Sequence, residues 1–227
     1  MDGVLNIYKE AGWTSFDVVA KMRGILKIKK IGHTGTLDPA ATGVLPVCIG
    51  KGTKKVESFM ADDKVYRAVM LLGVTTDSQD MTGEILTRSE VNHTEQDVRE
   101  AIKSFIGGYD QIPPMYSAKK VGGRKLVDMA RKGIEVERKP RFVNIMDIGI
   151  DDMSLPRVTM TVTCSKGTYI RTLCHDIGQK LGCGAAMESL IRTRVGRFKI
   201  EDAVTLDDLQ KLADEDRLEE VVITDIF

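Results

Sequence analysis

The chain has 227 residues, of which 42% are hydrophobic and 29% are charged, and its 33 lysines and arginines balance 33 aspartates and glutamates. A chain of this length and composition can bury one sizeable core, with room for a subdomain. No uninterrupted apolar run approaches the roughly 20 residues of a membrane-spanning helix, and the first residues do not resemble a signal peptide, so we expect a cytoplasmic protein without a membrane partner.

The first predicted elements are a strand and a helix. Residues Gly3 to Lys9 alternate loosely between apolar and polar side chains and end at a turn, which is typical of a strand. Ser15 is predicted to cap a helix, because it directly precedes apolar residues at helical spacing. The residues on the apolar face of this helix are Val18, Val19, Met22 and Ile25.

The stretch from Gly32 to Val47 contains three glycines and two prolines, so it predicts a shaped loop that runs into a strand from Val44 to Ile49. Asp38 is the residue in this loop that can act as a nucleophile or as a charged general base, and the proline after it fixes the local backbone. The residues alone leave two interpretations open. Asp38 is either a reactive carboxylate or a turn carboxylate that accepts backbone N–H bonds.

The middle of the chain mixes strands and helices. Lys64 to Val74 is predicted to be a long strand, and Thr94 with Asp97 forms the start of a helix with a capping box. Residues 107–124 contain paired prolines and paired glycines among basic residues, so they predict a mobile insertion, followed by a short helix from Lys125 to Lys132.

The last third of the chain predicts two strands and two helices. The strands run from Phe142 to Ile150 and from Arg157 to Cys164, and the second alternates between apolar and threonine side chains. Helices are predicted to start at Thr168 and at Thr205. Strands outnumber helices without a strict βαβ alternation, so the fold class is α+β, with a large mixed or antiparallel sheet and flanking helices.

The neutral total charge hides an uneven distribution. Residues 201–227 carry ten acidic and two basic side chains, which leaves 31 basic against 23 acidic side chains in residues 1–200. Residues 109–145 alone hold nine basic and four acidic side chains. This body can face a polyanion such as RNA, although scattered basic residues are more often a solvated surface.

The cysteines and histidines do not indicate a metal site or a disulfide. None of the four cysteines forms a Cys-x-x-Cys pair, and the three histidines lie far apart in the chain. We therefore predict reduced packing cysteines and no zinc site.

Four segments together resemble the TruB-type tRNA pseudouridine synthases. They are the loop from Gly32 to Val47, Leu5 to Lys9, Trp13 to Ser15, and Ser165 to Leu173, within a similarity that runs from about Gly3 to Leu209. The resemblance implies isomerisation of the uridine at position 55, in the T loop of tRNA, by the pseudouridine synthase fold, in which a long sheet carries a central active-site cleft.

The resemblance also implies a domain organisation. Residues 1–200 would form the catalytic domain, with a thumb-like insertion at about 107–140 that closes on the tRNA stem-loop. Residues 201–227 would be an acidic helix and tail without a complete RNA-binding domain of the PUA type.

Residue by residue, the resemblance implies three catalytic roles. Asp38 matches the catalytic aspartate, and Tyr66 matches a tyrosine that stacks on the target base and moves a proton. Arg171 matches an arginine that pairs with the aspartate and keeps it charged. Without the resemblance, Tyr66 would be a half-buried sheet aromatic and Arg171 a cation on the surface of a helix.

Five further residues are predicted to bind the RNA. By the same resemblance, His33 would wedge into the T loop, Tyr169 would line the pocket, and Leu190 would pack against the flipped base. Lys9 and Lys119 are predicted phosphate contacts. The chain departs from the usual Lys-Pro-x-Gly-x-Thr-Ser motif by having Glu10 in place of the proline, which should loosen that turn.

Pseudouridine formation neither adds nor removes an atom, so the resemblance implies no cofactor and no metal, with the tRNA T stem-loop as the partner of a monomeric enzyme. Two alternatives remain at this point. The protein could assist tRNA folding by binding alone, or Asp38 could serve a small-molecule hydrolase. The second is disfavoured, because hydrolysis of a glycosidic bond usually needs a pair of carboxylates.

Overall fold

The structure, a computed structural model, describes residues 1–117 and 120–225. Its α-helices are α1 (Ser15–Leu26), α2 (Val56–Ala61), α3 (Glu95–Lys103), α4 (Leu126–Ala130), α5 (Ile170–Leu181) and α6 (Leu206–Asp214). Its strands are β1 (Gly3–Lys9), β2 (Ile31–His33), β3 (Thr42–Ile49), β4 (Lys64–Leu72), β5 (Val74–Thr76), β6 (Ile85–Arg88), β7 (Gly107–Gln111), β8 (Lys120–Val121), β9 (Arg124–Lys125), β10 (Arg141–Ser154), β11 (Arg157–Cys164), β12 (Ala185–Val195), β13 (Phe198–Lys199) and β14 (Val222–Ile223).

Ten strands form one mixed sheet. The order is β14-β1-β3-β12-β4-β11-β10-β7, with β13 on β12 and β2 on β3. Strands β3 and β12 pair in parallel, and β1 pairs with β3 antiparallel along its whole length. The α+β class with a large mixed sheet and flanking helices is therefore confirmed. None of the helices in the described ranges is long and apolar enough to cross a membrane.

The chain divides into two compact units. Unit 1 comprises Met1–Arg67 and Leu190–Phe227, and unit 2 comprises Ala68–Ser189. In unit 1 the apolar face of α1 packs with residues of β1, β3 and α6 into a core whose buried members include Val18, Met22, Ile7, Leu45 and Leu209. The acidic C-terminal segment is thus part of unit 1, because α6 contributes to this core and β14 pairs with β1.

The predicted cap of α1 is wrong by one residue. Thr14 is the N-cap, and it forms a capping box with Asp17, whose carboxylate accepts from the Thr14 amide. Ser15 is the first helical residue and is buried. A Thr-Ser pair offers two candidate caps, but only Thr14 has an acidic residue three positions later, as the capping box requires.

Unit 2 contains the hairpin of β10 and β11. The predicted alternation in β11 is confirmed, because Val158, Met160, Val162 and Cys164 are all fully buried. Helix α5 ends at Gly182, whose φ of 81° is the left-handed conformation that glycine adopts without strain. Strand β12 was not predicted, since its sequence mixes apolar and arginine side chains.

Candidate active site

The loop between β2 and β3 holds Asp38 between two fixed neighbours. The Ser15 hydroxyl accepts from the amide of Leu37 at 2.9 Å, and the Gly12 amide donates to the carbonyl of Pro39 at 2.9 Å. The carbonyl of Asp38 itself accepts from the Ala41 amide at 3.0 Å, which closes a turn. The Asp38 side chain is neither buried nor fully exposed. A carboxylate is therefore presented on a backbone that is held on both sides.

Lys9 lies beneath this loop, and its predicted contact with phosphate is wrong. Its side chain is fully buried, and its ammonium donates to the carbonyls of Trp13 (2.7 Å), Glu10 (3.1 Å) and Pro39 (3.2 Å). Burial lowers the pKa of Lys9 to about 8, while the negative charge of Asp38 acts in the opposite direction. Since this attraction is mutual, the Lys9 cation favours the ionised form of Asp38.

Arg192, on β12, is a site residue that the sequence reasoning missed. It is 2% exposed, and its guanidinium donates to the carbonyls of Val44 (2.7 Å), Gly35 (3.3 Å) and Thr36 (3.4 Å). One signal for it was present in the sequence. Arg192 follows the predicted pocket residue Leu190 by two positions, and residues two apart on a strand share a face.

His33 ends β2 at the start of the loop. Its Nδ1 accepts from the Gly35 amide at 3.4 Å, and the side chain is half-buried. Burial lowers the pKa of His33, and the nearby charge of Arg192 lowers it further, so both effects favour the neutral ring. The ring is partly exposed, and its predicted role as a wedge in the T loop stays a prediction.

Tyr66 and Leu190 are both largely buried in unit 1. Tyr66 is 8% exposed on β4, where it alternates with the exposed Arg67, and Leu190 is 9% exposed on β12. Their predicted contacts with a flipped base stay predictions.

Arg171 lies in unit 2 and is not a surface cation. Its side chain is 5% exposed, and it donates to the carboxylate of Asp80 at 3.3 Å and to the carbonyl of Tyr116 at 2.5 Å. Asp80, which the sequence reasoning also missed, is itself buried and accepts from Ser78 at 2.8 Å. The predicted pairing of Arg171 with Asp38 stays a prediction.

Tyr169 is the half-buried N-cap residue of α5, and it is held by Gln111. The Gln111 amide group donates to the carbonyl of Tyr169 at 3.0 Å and accepts from its N–H at 2.8 Å. It also donates to the hydroxyl of Tyr109, which donates in turn to Asp176. Burial raises the pKa of Asp176 to about 6, against the effect of the bond from Tyr109.

Two comparisons with protein families cover almost the whole chain. Residues 23–170 match the N-terminal domain of the TruB family pseudouridylate synthases, and residues 171–224 match the C-terminal domain of tRNA pseudouridylate synthase B. The chain belongs to the TruB family. The activity of this family is the isomerisation of uridine to pseudouridine in tRNA, so the protein is an isomerase.

Relatives named tRNA pseudouridine synthase B support the same assignment. The one from Alkaliphilus oremlandii (strain OhILAs) is 51% identical over 212 residues, which are 93% of this chain and 71% of the relative. The one from Clostridium tetani (strain Massachusetts / E88) is 50% identical over 224 residues, which are 98% of this chain and 76% of the relative.

Two solved structures resemble the fold of this TruB family member. One is a Cbf5-Nop10-Gar1 complex, with 34% identity, a TM-score of 0.76, and coverage of 96% of this chain and 57% of that chain. The other is an H/ACA RNP bound to a substrate RNA containing 2′-deoxyuridine, with 31% identity, a TM-score of 0.74, and coverage of 97% and 58%. The chain thus spans less than two thirds of the solved chains that it matches.

Lys119 lies outside the described residues. Within the described ranges no group of three or more histidine, cysteine or acidic side chains could hold a metal ion, and all four cysteines are buried.

The arrangement around Asp38 suits the chemistry of the TruB family. Breaking the N1–C1′ bond and joining C5 to C1′ requires an ionised carboxylate beside the ribose and a place for the detached base. Asp38 is a reachable carboxylate on a fixed backbone, with the buried cations of Lys9 and Arg192 in the same unit. Fixed charges of this kind need no rearrangement when the reaction begins.

Proposed function

We propose that this enzyme converts the uridine at position 55 of tRNA into pseudouridine, with Asp38 as the catalytic carboxylate. The observation that carries the proposal is that the partly exposed Asp38 lies between two residues with fixed backbones. Leu37, before it, is hydrogen-bonded to Ser15, and the carbonyl of Pro39, after it, accepts from Gly12 and Lys9. Asp38 attacks the sugar or the base, or assists elimination, and all three routes use the same ionised side chain.

The target uridine lies in a folded RNA loop, so it must be flipped out to reach Asp38. Flipping costs a few kcal/mol, which stacking and phosphate contacts offset. In the proposal, His33 occupies the space that the base leaves, and Tyr66, Tyr169 and Leu190 receive the base. Arg171 pairs with Asp38 and keeps it charged, while Asp80 orients Arg171 through the buried ion pair.

The partner in this proposal is the T stem-loop of tRNA, bound by a monomeric enzyme in the cytoplasm. The basic stretch at residues 109–145 includes most of the thumb-like insertion, which we propose closes on the stem-loop. The related H/ACA RNP is bound to a substrate RNA, and this supports an RNA partner in general.

The experiment is incubation of the protein with an unmodified T stem-loop RNA in the absence of cofactors. The nucleosides are then released and analysed by chromatography and mass spectrometry, and an RNA with cytidine at the target position is the control. We expect one product of unchanged mass and altered retention, formed only from the uridine RNA. Binding of both RNAs without any product would contradict the proposal and favour assistance of tRNA folding.

A further inference from the structure

Arg192 is a buried cation to which the proposed function assigns no contact with the RNA. Its guanidinium is inaccessible to substrate, and in the described part of the chain it forms no ion pair with a carboxylate. Burial of a cation is costly unless hydrogen bonds compensate for lost water. Here the compensation comes entirely from three main-chain carbonyls, so the arginine and those carbonyls stabilise each other.

The three carbonyls lie on opposite arms of the Asp38 loop. Gly35 and Thr36 precede Asp38, and Val44 follows it on strand β3. A guanidinium is planar and has its donors in a fixed fork, so binding both arms at once fixes the distance between them. This side chain therefore joins the two arms of the loop, in addition to the pairing of β2 with β3 and the bond from the Thr34 amide to the Pro46 carbonyl at the base.

The main chain of Arg192 reinforces this closure. Arg192 pairs with Gly43 in the parallel ladder between β12 and β3. Gly43 has a φ of +106°, and a Cβ placed there would overlap the backbone of Arg192. The close approach of the two strands thus depends on glycine at this position and brings the arginine side chain under the loop.

We propose that Arg192 is a positioning residue for pseudouridine formation, which sets the place of the Asp38 carboxylate without touching the substrate. The inference rests on the proposed role of Asp38. One face of strand β12 would then have two functions. Arg192 would position Asp38, and Leu190, two residues earlier, is the predicted contact of the flipped base.

The test compares Arg192→Lys with Arg194→Lys. Lysine keeps the charge of Arg192 but has no fork with which to bind both arms. Arg194 is the matched control, because it lies on the same strand and donates to the carbonyl of Gly196, outside the loop. Where Arg192→Lys does not fold, Arg192→Gln takes its place, since it also keeps a polar side chain with N–H donors.

Two readouts are measured for each folded variant: hydrogen exchange of peptides that cover residues 34–42, and the single-turnover rate with saturating T stem-loop RNA. We expect Arg192→Lys to speed exchange of the loop and to slow turnover by about 10- to 100-fold, as a displacement of about 1 Å can do. RNA affinity should stay within about threefold, since the arginine contacts no RNA. Arg194→Lys should change neither exchange nor rate.

The hydrogen-exchange readout needs no activity, so it separates this inference from the proposed function. Faster loop exchange in Arg192→Lys, with no turnover by the wild type, would support closure of the loop by Arg192 and overturn the proposed function. Unchanged loop exchange, or faster exchange with a wild-type rate, would overturn the positioning role. An equal loss of rate in Arg194→Lys would overturn it as well.

Discussion

The hydroxyl of Ser15 is hydrogen-bonded to both main-chain groups of Leu37, accepting from its N–H at 2.9 Å and donating to its carbonyl at 3.3 Å. Both residues are buried. The first turn of α1 is thereby joined to the residue that directly precedes Asp38. The two adjacent hydroxyl residues therefore have different roles. Thr14 caps the helix, and Ser15 fixes the backbone of the loop.

Replacing Ser15 by alanine should lower both stability and rate. The buried N–H of Leu37 would lose its partner, which costs about 1–3 kcal/mol of unfolding free energy. Loosening the backbone before Asp38 should also slow single turnover while RNA affinity is kept. Urea unfolding and single-turnover assays measure the two effects. Ser154→Ala, at the exposed end of β10, is the control, and equal behaviour of the two variants would contradict the role of Ser15.

Much of the fold could be predicted from patterns within single elements. The alternation of β11 and the apolar spacing of α1 each depend on residues close in sequence, and the structure confirms both. Strand β12 was missed because arginines interrupt its apolar pattern. Arg192 is buried only because the carbonyls of Gly35, Thr36 and Val44 converge on it.

The site residues also divide into those that could be predicted from the sequence and those that could not. Asp38 could be predicted because it is a reactive group in a recognisable loop. Lys9 was misassigned because a lysine near an RNA enzyme's motif suggests a surface contact, whereas its burial depends on a cluster of carbonyls from two segments of the chain. Asp80 and Gln111 were missed because each acts on a residue far away in sequence, Arg171 and Tyr169 respectively.

Asp176 should make stability depend on pH. Its pKa is raised to about 6 by burial, so the folded protein binds a proton more tightly than the unfolded chain does. The stability that it contributes is therefore fully present below about pH 4, the unfolded pKa, and is lost as the pH rises through about 6. The Asp176→Asn side chain cannot ionise, so this stability is no longer lost as the pH rises. Its amide oxygen can still accept from the hydroxyl of Tyr109.

We expect Asp176→Asn to be more stable than the wild type at pH 7.5 by about 1–2 kcal/mol, allowing for partial exposure to solvent. The gain should shrink towards pH 4.5. Urea unfolding at both pH values measures it, with Asp110→Asn on β7, an exposed carboxylate, as the control. A gain of the same size at both pH values, or a loss at pH 7.5, would show that ionisation of Asp176 is not the cause.

Tyr66→Phe separates stacking from proton transfer. Phenylalanine keeps the ring that would stack on the base and removes the hydroxyl that would move a proton. We expect the single-turnover rate to fall by about 100-fold or more, which is the usual effect of losing a general acid or base, with RNA affinity nearly unchanged. Rate constants and dissociation constants are measured on the same RNA. Equal losses in rate and affinity would leave Tyr66 with a stacking role alone.

The most direct measurement is the single-turnover conversion of T stem-loop RNA by Asp38→Asn beside the wild type. Asparagine has nearly the same shape and can keep the turn, but it cannot ionise. We predict that no pseudouridine forms over many wild-type half-lives, while the dissociation constant for RNA stays within about threefold. Conversion by Asp38→Asn at a rate close to that of the wild type would remove Asp38 from the mechanism.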